Sequence, residues 1–305
     1  MKVGGEFRCV LMNSMGGVVR DTGWFSNLLT NVGLTNLSTQ NWHSQLHIGQ
    51  GSSAPAFTDS ALQTWLAYGN VNTTAEGPVP VGPNYEWYET RSYRFNAGVG
   101  TGTVRELGLS HLTTNSSMTV RSAVSPAVPK AVDQVLDVYY RFKIWPSLAD
   151  VVGTIAIAGE DFNYTLRAME LDYTSYMRTF DLIRFTTSGS GANCWQDNIG
   201  SVTSAPAVAT GSGGTSNAET HPVVTSAPTI NIPAGSAYID TTYKWALDEA
   251  NSPGGVRSIS TRMMTVGTLK GVQCQFNRVS DAGVGKIMKD NTKEISITFR
   301  MNYAR

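Results

Sequence analysis

His43 and His47 stand four residues apart, the spacing that would put two imidazoles on one helix face for a zinc ion. Ser44, Gln45 and Leu46 lie between them, and the glutamate that a His-Glu-x-x-His protease uses as its base is missing. The pair therefore reads as ordinary surface or capping histidines. Glu160 and Asp161 are adjacent acids, the residue types of a glycosidase pair. Neighbours in a strand point to opposite faces, so without a bulge they cannot flank one bond, and they read as solvated or turn-forming carboxylates. Gly98-Val99-Gly100-Thr101-Gly102 has neither the lysine nor the strand-to-helix setting of a phosphate loop, and reads as a turn. Ser204 and Ser226 lack the Gly-x-Ser-x-Gly elbow of an acyl-transfer nucleophile. Cys9, Cys194 and Cys274 are an odd number at wide spacing, which fits neither a disulfide framework nor a zinc site. No catalytic, metal or cofactor-binding constellation is expected, and the chain reads as a non-enzyme.

Two further features could bind rather than react. Tyr85, Trp87, Tyr88, Tyr93 and Phe95 could stack on a sugar or a base, but at strand spacing half of them must face a core. Between Trp195 and Tyr238 runs a segment rich in Gly, Ser, Thr, Ala and Pro with no aromatic residue. It is expected to be a long loop over 196–237, serving as an inter-subunit arm or a binding tip, or else disordered. Val223-Val224 and Ile230-Asn231-Ile232 within it could pair as an edge strand.

The elements that must carry these residues are strands. The chain has 305 residues, 41% hydrophobic and only 15% charged, with 23 basic and 23 acidic side chains. A net charge of zero gives no electrostatic footprint for nucleic acid or anionic membrane, and it favours association. The first residues lack an apolar core of signal-peptide length, and no run approaches the roughly 18 apolar residues of a membrane span. Leu136, Val138, Tyr140, Phe142 and Ile144 alternate with Asp137, Tyr139, Arg141 and Lys143, a period of two that buries one face. Ile295, Ile297, Phe299, Met301 and Tyr303 alternate in the same way. Strands are also expected at Tyr85–Phe95, Gly102–Leu109, Met118–Val124, Val152–Leu171, Met177–Phe185, Ser236–Trp245, Arg257–Leu269 and Val272–Phe276. A hairpin is expected where Glu6–Val10 and Val18–Asp21 flank Asn13–Gly17. Phe25, Leu28, Leu29 and Val32 predict a short helix ended by Gly33, and Asp59 predicts a cap for a second one carrying Leu62, Trp65 and Leu66.

Many of these blocks occur twice, about 150 residues apart, a domain-sized period. Ile48-Gly49 followed by Ser53-Ala54-Pro55-Ala56 answers to Ile199-Gly200 followed by Ser204-Ala205-Pro206-Ala207. Tyr93-Arg94-Phe95 answers to Tyr243-Lys244-Trp245, Val104-Arg105 to Val256-Arg257, Val120 to Val272, and Lys130 with its strand to Lys289 with its own. The expected fold is all-β with a few short helices. Two tandem antiparallel domains of β-sandwich or jelly-roll type, 1–147 and 148–305, would arise by internal duplication.

The first copy also carries Glu6-Phe7-Arg8 and Asp21-Thr22-Gly23-Trp24-Phe25-x-Asn27-Leu28-Leu29-Thr30-Asn31-x-Gly33-Leu34. Ile48-Gly49-x-Gly51, Ala54-Pro55, Thr58-Asp59 and Val104-Arg105-Glu106-Leu107-Gly108-Leu109 follow. In this order, over residues 5–145, the chain resembles virion proteins of tailed bacteriophages, the tail or minor structural class. The resemblance implies a structural protein assembled in the virion as a homo-oligomer beside other virion proteins, at the tail tip, baseplate or fibre-attachment collar. Recognition of a host-surface glycan, or decoration of the head, are the alternatives. Trp24, Phe25, Asn27 and Leu28 are the candidate interface residues, with core packing an equal contender for Trp24 and Phe25. The second copy lacks the Gly-Trp-Phe and Asn-Leu-Leu-Thr-Asn elements.

Overall fold

The computed structural model describes residues 2–37, 42–81, 86–145, 150–168, 192–197, 218–221, 229–231, 233, 236, 238–249, 251, 256–262, 271–279, 287–302 and 304–305. Strand alternation dominates, and the protein is all-β. The strands of its first part are β1 (Lys2–Met12), β2 (Val18–Asp21), β3 (Phe25–Ser26), β4 (Leu28–Leu29), β5 (Gln45–Gly49), β6 (Trp65–Val81), β7 (Glu86–Phe95), β8 (Gly102–Ser110), β9 (Val120–Lys130) and β10 (Val135–Trp145). A single short helix, α1 (Asn31–Asn36), is found among the described residues.

These strands make one antiparallel sheet in the order β2-β1-β10-β7-β6-β5-β8-β9-β4, with β3 on β1. β6 turns the sheet into a sandwich-like pair of layers. Its first residues, Trp65 to Asn70, pair with β5, and from Val71 onward it pairs with β7 through three register shifts. Such irregularities bend and twist a strand, so β6 passes from one layer to the other. Between the layers lies the core. Val3, Phe7, Cys9 and Leu11 of β1, Tyr93 and Phe95 of β7 and Leu136, Val138, Tyr140 and Phe142 of β10 are buried on one side. Leu46, Ile48, Val104, Leu107, Leu109, Val120, Val124 and Val128 are buried on the other. The expected inward face of β10 is thus the observed one.

The strands of the later part are β11 (Val151–Ile157), β12 (Glu160–Ala168), β13 (Ala192–Asp197), β14 (Ala218–His221), β15 (Thr229–Asn231), β16 (Tyr238–Trp245), β17 (Val256–Arg262), β18 (Gly271–Arg278) and β19 (Ile295–Asn302). They form a sheet in the order β11-β12-β18-β17-β13-β14 and a second one, β15-β16-β19. Residues of the repeated blocks take matching ladder partners. Tyr93 and Phe95 face Val138 and Leu136, while Tyr243 and Trp245 face Ile297 and Ile295. Leu107 and Leu109 face Ser122 and Val120, while Ile259 and Thr261 face Cys274 and Val272. Lys130 and Lys289 are both buried, and each donates from Nζ to a carbonyl just beyond the preceding aromatic strand, Asn96 O at 3.1 Å and Leu247 O at 3.4 Å.

Three sequence expectations are corrected. Phe25, Leu28 and Leu29 are not helical: β3 pairs with β1 and β4 with β9, so this segment crosses between the two layers' edges and leaves apolar anchors on each. The helix follows instead, capped by Thr30, whose Oγ1 accepts the Gly33 N–H at 2.8 Å. Gly33 lies inside it because a Cβ there would stand 1.9 Å from Thr119 O. Asp59 caps no second helix; its carboxylate accepts the Ala56 N–H at 2.7 Å and binds Arg121, and Trp65 begins β6. The Ile199-Gly200 and Ser204–Ala207 blocks of the repeat lie outside the described residues. Finally, 196–237 is not loop throughout: Ala218–His221 forms β14 on β13, and Ile230-Asn231 lies in β15, which pairs with β16 at the edge of its sheet as the expected edge strand, while Val223-Val224 lies outside the described residues. The expected strand at Met177–Phe185 lies outside the described residues.

Candidate functional site: a polar lock beneath residues 50–64

Glu106 and Arg121 are the most deeply buried opposite charges among the described residues, 1% and 2% exposed. A register shift between Val104 and Glu106 sets their direction. It changes the phase of β8, so that Val104, Leu107 and Leu109 enter the core while Glu106, Gly108 and Ser110 take the opposite face. Arg121 pairs across from Gly108 and joins Glu106 on that face. Residues 50–64 cover it.

The carboxylate is fully used. Its Oε1 accepts the N–H groups of Gly51 (2.8 Å) and Thr64 (2.9 Å), and its Oε2 accepts from Gln63 (3.1 Å) and from Arg121 Nη2 (2.8 Å). Arg121 also donates to the Asp59 carboxylate and to Ser53 Oγ at 3.2 Å. The Gly49-x-Gly51 spacing follows from this approach, because a Cβ at either position would lie within 2.6 Å of Glu106 Oε1. Gly108 leaves space in the same way for Leu62 and Met118. Burial acts to raise the Glu106 pKa, but the Thr64 and Gln63 amides, the Arg121 guanidinium and the Gly51 amide outweigh it and hold the carboxyl below its usual range. Asp59 is likewise low: burial opposes, and the Ala56 amide with Arg121 prevails. A carboxylate accepts about four hydrogen bonds, so Glu106 has none left for a substrate proton. The cluster fastens a loop to β8 and β9.

The histidines do not converge. The Nδ1 of His47 accepts from Trp65 Nε1 at 3.1 Å, and its Nε2 lies 2.9 Å from Leu112 O, which makes Nε2 the protonated nitrogen. Burial lowers the His47 pKa against that carbonyl. His43 faces Arg91 instead, with Nδ1 3.2 Å from Nη1; burial and then the Arg91 charge push its pKa down to about 3. Both rings are neutral packing groups, and no cluster of three metal-binding side chains exists among the described residues. Cys9 and Cys274 are free and buried, and burial raises both thiols to about 12. They are apolar fillers, not nucleophiles. Glu160 and Asp161 are both exposed at the start of β12, beyond the turn at Ala158-Gly159. Gly98 to Gly100 form the expected turn.

The four candidate interface residues are half-buried and already engaged. The Trp24 ring and the Tyr88 ring hold the Arg141 guanidinium between them, at 4.1 and 4.2 Å. Phe25 packs on Phe7 with ring centroids 6.3 Å apart, Asn27 turns toward the buried Tyr140 hydroxyl and donates its backbone N–H to Gly5 O, and Leu28 pairs with Arg121. Of the aromatic platform, Tyr93 and Phe95 are core residues and Tyr88 is part of the arginine stack. Tyr85 and the Trp87 side chain lie outside the described residues. Exposed rings occur elsewhere, at Phe57, Trp65 and Tyr68.

Arg121 escaped sequence reading because its partners sit in a loop far away in the chain. The available signal was Glu106 itself, a lone acid between Val104 and Leu107-Gly108-Leu109 in a strand of core residues. Comparison with family models, with curated proteins and with solved structures finds no match to this chain.

Proposed function

We propose that the chain is a non-enzymatic structural protein of a tailed-phage virion, built as two tandem β-domains (1–147 and 148–305) and acting in the tail by oligomeric assembly. The tip, baseplate or fibre-attachment collar is its place. The observation that carries this reading is where the motif residues of the resemblance go. Gly49, Gly51, Asp59 and Glu106 all spend their chemistry on one internal lock, so these motif residues serve the fold. The repeated ladder register adds a second unit of the same plan, which lets one chain occupy two similar places around an axis. No cofactor is assigned, and the expected partners are copies of this chain and other virion proteins.

Light scattering with size exclusion tests the assembly. The expected result is a closed oligomer of fixed mass across a wide concentration range. A monomer throughout would contradict self-assembly.

The second reading, a module that binds a host-surface glycan, draws support from the exposed Trp65 and Tyr68 rings beside His47. Glycan-array binding that is lost in Trp65→Ala and Tyr68→Ala variants would favour it.

A further inference from the structure

β1 has β10 along the whole of one side, from Lys2 to Met12. Its other side is closed in pieces. β2 covers Val10 to Met12, the Thr22 amide donates to Cys9 O at 3.0 Å, β3 covers Glu6 and Phe7, and the Asn27 amide donates to Gly5 O at 3.2 Å. The remaining piece is Ala304: it bridges Lys2 in parallel, and its carbonyl accepts the Val3 N–H at 2.8 Å. All but that last piece come from residues 18–27. Ala304 comes from beyond β19, at the far end of the later set of strands.

Arg305 continues from this bridge into a ready-made receptor. Its Nη1 donates to Leu29 O at 3.0 Å, its Nη2 to Asn31 Oδ1 at 2.6 Å, and its guanidinium carbon lies 4.1 Å from the centre of the Phe57 ring. The receptor has its own supports. Leu29 is held in β4, and the Asn31 N–H donates to Phe57 O at 2.7 Å, which ties the loop to the helix start. Two neutral oxygens and a ring face suit a planar fork of donors, which arginine has and lysine lacks.

We propose that Ala304-Arg305 is a latch, an extended segment of the later half that completes the β1 edge and locks its arginine into the Leu29–Asn31–Phe57 receptor of the first half. The receptor reads an arginine on an extended strand, and its occupant is this chain's own segment. Because no carboxylate takes part, added salt leaves the latch closed.

Residue-resolved hydrogen exchange on the full chain tests it, with the Val3 amide as reporter and the Cys9 amide, bonded to Thr22 Oγ1 at 2.9 Å, as control for folding. Arg305→Ala and Phe57→Ala should each lower Val3 protection by about tenfold and leave Cys9 unchanged, while Arg305→Lys should lose less. Val3 protection unchanged in both alanine variants would overturn the proposal. Val3 protection that rises with protein concentration would place the segment on a neighbouring copy, and so would also overturn the latch within one chain.

Discussion

At the scale of single residues, Glu106 organises more of the molecule than any other side chain described. It binds three backbone amides of the covering loop and the buried Arg121 at once. Removing Glu106's charge leaves the buried Arg121 with Asp59 as its one remaining carboxylate among the described residues, so Glu106→Gln is expected to cost up to about 3–5 kcal/mol, measured by urea unfolding at pH 7. The gap between wild type and variant should also depend on pH. The folded carboxyl lies below the ordinary value of about 4.3, so its stabilisation is complete above that value and is lost as pH falls through the folded pKa. A gap that stays constant down to pH 3 would contradict this role. The glycines of Gly49-x-Gly51 were legible in the sequence as a motif, but their purpose was not. It requires knowing that a carboxylate from β8 reaches in where their side chains would be.

At the scale of elements, strand alternation was the reliable signal. β10 buries Leu136, Val138, Tyr140 and Phe142 as its period of two requires. The segment 24–37 misled because Phe25 and Leu28-Leu29 carry helical spacing while serving two strands on opposite layers. Spacing cannot tell a helix face from a chain crossing between edges. The true helix is short and rests on a contact with Thr119, which supplies a prediction of sign. Alanine is a better helix former than glycine by about 1 kcal/mol, so propensity alone would have Gly33→Ala stabilise the protein. The Thr119 carbonyl occupies the space that a Cβ would need, and the substitution should instead lower stability by about 1–3 kcal/mol. A thermal melt that rises for this variant would show that α1 does not pack on Thr119 as described.

At the scale of the whole molecule, the repeated blocks predict a duplication, and their residues take matching ladder partners across β7–β10 and β16–β19 and across β8–β9 and β17–β18. In the alanine-, serine- and glycine-rich stretch, Ile230-Asn231 of β15 stood out as a candidate edge strand, whereas β14 was hidden because it lacks the apolar alternation by which strands are read. The latch was not legible at all: Ala304 and Arg305 carry no motif, and their partners lie at the opposite end of the sequence. The central claim is a structural role in the virion. Its most direct test is quantitative mass spectrometry of virus particles purified from the source that encodes this chain. The account predicts peptides of the chain at a fixed, small-integer ratio to another tail component; particles that are complete and infective without it would contradict the account.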